Sequence, residues 1–148
     1  MIKKILLATD GSASSLKAAQ YALQLAGQTK ASVTILTAGP VPIMDLMNYH
    51  PSMAEDDILP KQVEERIKQA GEKAIDNTLE VFKGSKIKVD THFEYGHPAE
   101  AIASYAANNG YDLIIIGNRG LSEIKSLFLG SISDRVLHIA HCPVLVVK

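Results

Sequence analysis

The residues best suited to chemistry in this chain are glycines. Gly117-Asn118-Arg119-Gly120 is followed, after nine residues, by Gly130-Ser131-Ile132-Ser133. Glycine has no Cβ, so its backbone can adopt positive φ and bring N–H groups close to a bound anion. Ser131 opens a helical pattern, and the first N–H groups of a helix lack intrahelical acceptors while its dipole is positive at that end. Together the two segments predict a main-chain cradle for phosphate, with Arg119 and Lys125 as nearby cations. A second reading needs no ligand, because Ser131-Ile132-Ser133-Asp134 also fits the S-x-x-D pattern of a capping box. Asp10, in Thr9-Asp10-Gly11-Ser12, is the other candidate. Its carboxylate would repel phosphate, so it suits a ribose hydroxyl, an adenine amine or a metal ion; as a helix N-cap it would need none of these.

Other chemistries fit less well. The chain has neither G-x-x-x-x-G-K-[ST] nor a G-x-G-x-x-G after its first strand, and no G-x-S-x-G elbow for a Ser–His–Asp hydrolase. His138, His141 and Cys142 have spacing that invites a metal, yet Pro143 turns the chain there and no fourth ligand is evident. The histidines therefore read as surface residues and Cys142 as an inert, buried thiol. His97, before Pro98, reads first as a helix cap and second as a ligand contact.

Periodicity gives the elements that must position these residues. Ile5 to Ala8, Val33 to Leu36, Leu113 to Ile116 and Val144 to Val147 are continuous apolar runs, as in parallel strands covered on both faces. Ile87 to Phe93 alternates, as expected of a half-exposed strand near an edge. Leu16, Ala19, Leu23 and Ala26 trace a helix after the capping serines Ser12 and Ser14 and before Gly27. Val63, Ile67, Ala70, Ala74, Thr78 and Val81 trace a second, opened by Pro60 and closed before Gly84. Pro98 to Asn109 is a third; the fourth runs from Ser131 to Ala140 with Ile132, Val136 and Ile139 as its apolar face.

Alternating strands and helices predict a five-stranded parallel sheet, order 3-2-1-4-5, with helices on both faces and right-handed crossovers. The winding reverses between strands one and four, opening a crevice above their carboxyl ends. Asp10-Gly11 and Gly117 both arrive there.

Composition bounds the rest. With 148 residues, 47% hydrophobic and 21% charged, the chain is expected to be one ordered domain over residues 1–148. Its net charge of -1 argues against nucleic-acid binding. A single cysteine suits a reducing compartment. No apolar run reaches the ~18 residues of a membrane span, and Asp10 ends the apolar start too early for a signal peptide. A cytoplasmic location is the resulting expectation. The stretch from Gly39 to Leu59, with Pro40, Pro42 and Pro51 among Met44, Met47 and Met53, has no clear element; a lid over the crevice and a partner-docking surface both fit, and a short helix over Met44 to Tyr49 is compatible with either.

The chain resembles the universal stress proteins over nearly its whole length. The resemblance rests on Lys4-Ile5-Leu6-Leu7-Ala8-Thr9-Asp10-Gly11-Ser12, Gly96-His97-Pro98-Ala99-Glu100-Ala101-Ile102, Tyr111-Asp112-Leu113-Ile114-Ile115-Ile116-Gly117 and Cys142-Pro143-Val144-Leu145-Val146-Val147. The spacing G-x-x-G, nine residues, G-[ST] resembles that of the family's ATP-binding branch. The resemblance implies a Rossmann-like fold of the adenine nucleotide alpha hydrolase type and ATP, with or without Mg2+, as ligand. By the same resemblance Asp10 lies near ribose or adenine with Ala8 beside it, and Ala38 and Ile116 line the adenine slot. Gly117, Arg119, Gly120, Gly130, Ser131, Ile132 and Ser133 then surround ribose and phosphates. Asn118 departs from the small hydroxyl residue expected there.

Val144-Leu145-Val146-Val147 would be an edge strand bare of charge, which invites antiparallel pairing in a two-fold homodimer, an assembly the resemblance also implies. The leading functional reading is thus a dimeric, ATP-dependent stress-response switch. Two others remain open: a nucleotide-independent interaction module, and a slow ATP hydrolase or phosphotransferase with Ser131 and Ser133 nearest the phosphates.

Overall fold

A computed structural model describes residues 1–40, 58–120 and 129–148. The elements are β1 (Lys4–Ala8), α1 (Ala13–Thr29), β2 (Ser32–Gly39), α2 (Ile58–Phe82), β3 (Val89–Tyr95), α3 (Pro98–Asn108), β4 (Leu113–Gly117), α4 (Ser131–Ile139) and β5 (Val144–Val147). The strands form one parallel sheet in the order β3-β2-β1-β4-β5, as the sequence predicts. The region 41–57, which holds most of the Gly39 to Leu59 stretch, and Lys125 lie outside the described residues.

Successive strand residues point to opposite faces, so each apolar run feeds two cores. Ile5, Leu7, Val33, Ile35, Leu113 and Ile115 pack beneath α1 and α2. Leu6, Ala8, Leu36, Ile114 and Ile116 pack beneath α3 and α4.

The helices differ from their sequence patterns in instructive ways. On α1 the buried line is Ser15, Ala18, Ala19, Ala22 and Ala26, with Leu16 and Leu23 half-buried on its flanks. Small side chains let the helix lie close on the sheet. The helix also runs through Gly27 to Thr29 and ends on Lys30 in the left-handed region. On α2, Ala70 is exposed and Gly71 is buried instead. The Phe93 ring of β3 occupies the space there: a Cβ on Gly71 would lie 2.3 Å from Phe93 Cε2. On α4, Ser133 and Val136 turn inward while Ile132 sits at the rim, 36% exposed.

Candidate functional site

Ala8 sits between Leu36 of β2 and Ile116 of β4 in adjacent register positions. One methyl between two long aliphatic chains leaves a recess at the carboxyl end of the sheet. Ala38, Pro98 and Ile102 wall this recess, which widens past Asp10 and Arg119 into an open cleft. Among the site residues named from sequence, Ala8, Asp10, Ala38, Ile116, Gly117, Arg119, Gly120, Gly130, Ile132 and Ser133 line the cleft; Ser131 does not. Thr9, Ser15, Leu36, Pro98 and Ile102 also line it, although nothing in the sequence assigns them to a ligand.

The turn after β4 is fixed by close packing on α1. A Cβ on Gly117 would fall 2.5 Å from Ser14 Oγ and 2.8 Å from the Ser14 carbonyl carbon. Ser14 Oγ donates to Asn118 Oδ1 at 2.9 Å and accepts from Arg119 N at 3.4 Å. The Asn118 side chain is therefore turned toward α1, and its carbonyl holds α4 by accepting from Gly130 N at 2.7 Å and Ser133 Oγ at 3.2 Å. Gly120 faces Asp10, whose Oδ2 would lie 2.9 Å from an added Cβ. Positive φ, expected of the motif glycines, is found instead at Gly11, Gly84, Gly96 and Gly110. Gly117 and Gly120 serve close approach rather than a left-handed turn.

Both capping alternatives from the sequence give way. Asp10 is not the N-cap of α1: Ser12 is, accepting from Ser15 N at 3.2 Å. Asp10 Oδ1 accepts from Ser12 N at 2.9 Å in the turn before it. Ser14, also expected to cap, lies inside the first turn. The N-cap of α4 is Gly130, with φ -65° and ψ 152°, and no side chain caps the helix. Ser131 is the first helical residue, so the capping-box register is off by one. Beneath the β1–α1 turn, Thr9 Oγ1 lies 3.0 Å from Ser15 Oγ and 2.8 Å from Thr78 Oγ1, accepting also from Gly11 N at 3.2 Å. This buried hydroxyl cluster pins the segment that carries Asp10.

Charge at the mouth comes from Arg119, whose Nε is buried with no hydrogen-bond partner among the described residues. At the start of α3, His97 occupies the N-cap position without a side-chain cap bond and contacts Glu100 Oε2 instead. Glu100 Oε1 reaches Arg135 Nε of α4 at 3.2 Å, tying the helices that flank the cleft. The main-chain amide at the helix start, then Arg135 and His97, hold the Glu100 carboxyl below its ordinary pKa. Burial pushes the Cys142 thiol up, away from nucleophilic use. His138 Nδ1 lies 2.8 Å from the Asp134 carbonyl. Among the described residues no group of three or more His, Cys, Asp or Glu side chains could hold a metal ion, and no helix is long and apolar enough to cross a membrane.

A doubly wound α/β sheet with its cleft at the β1–β4 switch point defines a class of ligand-binding folds. Within that class the profile of the universal stress protein family matches residues 1–148, and the chain belongs to this family. Universal stress protein YxiE of Bacillus subtilis is 31% identical over 148 residues, with 100% of each chain covered. Universal stress protein UspA from Lactobacillus plantarum shares the fold at a TM-score of 0.82 and 23% identity, covering 99% of this chain and 98% of that one. A universal stress protein solved in complex with cAMP matches at a TM-score of 0.67 and 25% identity, covering 99% and 97%.

Proposed function

We propose that this chain binds an adenine nucleotide, ATP in the first instance, and acts as a nucleotide-dependent switch. The base enters the apolar recess of Ala8, Ala38 and Ile116. The ribose lies beside Asp10, and the phosphates lie between Gly117, Arg119 and Gly120 and the α4 start at Gly130, Ser131, Ile132 and Ser133. One observation carries the reading: an apolar recess opens onto a helix N-terminus beside an Arg119 Nε that is buried without an acceptor among the described residues. A buried donor left unpaired costs about 1–3 kcal/mol, and a phosphate oxygen removes that deficit. The cAMP complex of a similar protein supports an adenine nucleotide as the ligand class. Mg2+ would accompany the phosphates, with Asp10 as the one carboxylate lining the cleft among the described residues.

Signalling through such a site suits a homodimer in the cytoplasm. β5 is an edge strand and Leu145 is 36% exposed on it, which supports pairing of Val144–Val147 across a two-fold axis. Asn118 N donates to the Val147 carbonyl at 2.9 Å, so the phosphate turn and the dimer edge would move together.

Titration calorimetry with ATP, with and without Mg2+, tests the reading. Binding heat is expected from the wild type and none from Gly130→Val, whose backbone angles valine adopts without strain. Wild-type protein that gives no heat at millimolar ATP would defeat it.

A further inference from the structure

At the opposite end of the sheet, where the strands begin, the structure holds a second, shallower depression that the nucleotide reading does not use. Its apolar surface comes from the half-buried Leu23 of α1 and Ile87, over the buried Ala26 and Ala31. Its rim carries Lys3, Lys30, Lys86 and Lys88. Among the described residues only Lys88 of these four has an ion pair, an exposed contact of 3.7 Å with Asp90. The Asp112 carboxylate accepts from the main-chain amides of Lys3 and Lys4 at 2.8 and 2.9 Å and feels the Lys3 charge without forming an ion pair with it. A chain of net charge -1 thus gathers four ammonium groups around one groove.

Lys30 adds a separate observation. At φ 60° and ψ 29° it is the only non-glycine residue with positive φ among the described residues. A helix ends there at least cost on glycine. The favourable placement of a cation at a helix C-terminus is worth less than the left-handed backbone costs an L-residue. That strained cap places the Lys30 side chain on the groove.

We infer that this groove docks an acidic segment of a partner protein, an extended stretch whose carboxylates alternate with apolar side chains. Alternate residues of an extended chain point to opposite sides, so one set reaches Leu23 and Ile87 while the other meets the lysines. A flat anionic membrane leaves the recessed apolar floor unfilled, and a phosphate backbone offers that floor nothing apolar.

The test uses the full chain and a fluorescein-labelled ten-residue peptide of alternating Glu and Leu, followed by anisotropy at low salt. The expected result is saturable binding that weakens as salt rises. Affinity falls at least tenfold in Lys30→Gly and in the double variant Lys86→Glu/Lys88→Glu, while ATP binding is unchanged. Lys30→Gly also melts about 3 °C higher, because relief of the left-handed strain is worth ~1 kcal/mol there. That combination of greater stability and weaker docking separates a binding role from a structural one. Absence of peptide binding, affinity unaltered in the variants, equal binding of a Lys–Leu peptide, or tighter binding of duplex DNA or phosphatidylserine vesicles would each overturn the inference.

Discussion

Gly117→Ala is the sharpest perturbation of the cleft that the packing allows. The new Cβ would fall 2.5 Å from Ser14 Oγ, 2.8 Å from the Ser14 carbonyl carbon and 2.9 Å from its oxygen. Carbon contacts are comfortable near ~3.5 Å, so rotating the serine hydroxyl relieves only the first clash and about 0.7 Å must come from the backbone. Neither side yields easily. The α1 face above is seated through Ala18, Ala19 and Ala22, all fully buried, and β4 is hydrogen-bonded on both sides to β1 and β5. Overpacking of this kind costs about 1–3 kcal/mol, at roughly 3 °C of melting temperature for each. Urea denaturation and thermal melting read the loss directly. Ser14→Ala removes the closest contact along with its bonds to Asn118 and Arg119, so the double variant should be less destabilised than the sum of the two single changes. A Gly117→Ala protein within about 0.5 kcal/mol of wild type would refute the reasoning.

Three further outcomes follow from the same kind of accounting. Gly71→Ala should destabilise the protein by about 1–2 kcal/mol in urea denaturation, although alanine is the better helix former by ~1 kcal/mol, because its Cβ would meet Phe93 Cε2 at 2.3 Å; a stabilised variant would contradict this. The amides of Lys3 and Lys4 depress the Asp112 pKa below 3.8, so its contribution is full above that value and fades as pH falls through and below it. Asp112→Asn should accordingly lower the melting temperature at pH 7 and much less at pH 2.5, and an equal drop at both would count against the pairing. Leu145→Lys places a charge on the exposed edge of β5 and should shift light scattering from dimer to monomer; scattering unchanged by the substitution would argue against that edge as the contact.

Much of the architecture was legible because continuous β-branched runs and glycine-marked turns leave few alternatives once strands and helices alternate. Strand order, both edge strands and the convergence of Asp10 with Gly117 follow from that pattern and appear in the structure. What the sequence hid are contacts between distant elements. No periodicity announces that Phe93 displaces a side chain at position 71, or that Ser14 meets Gly117 and, across 104 residues, Asn118. The α4 cap shows the same limit at short range, since S-x-x-D was one register off once Gly130 took the cap position. Leu36 and Ile102 carry no sequence mark of a cleft residue because they also serve as ordinary core side chains. Asn118 departs from the small hydroxyl residue expected there, and its side chain bonds to α1 while its main-chain carbonyl holds α4.

Crystals grown with excess ATP and Mg2+ test the central claim most directly. The account predicts a purine ring between Ala8, Ala38 and Ile116, with phosphate oxygens within hydrogen-bond reach of Arg119 Nε and of the main chain between Gly130 and Ser133. A cleft closed by the protein's own side chains, or a nucleotide bound anywhere else on the chain, would contradict it.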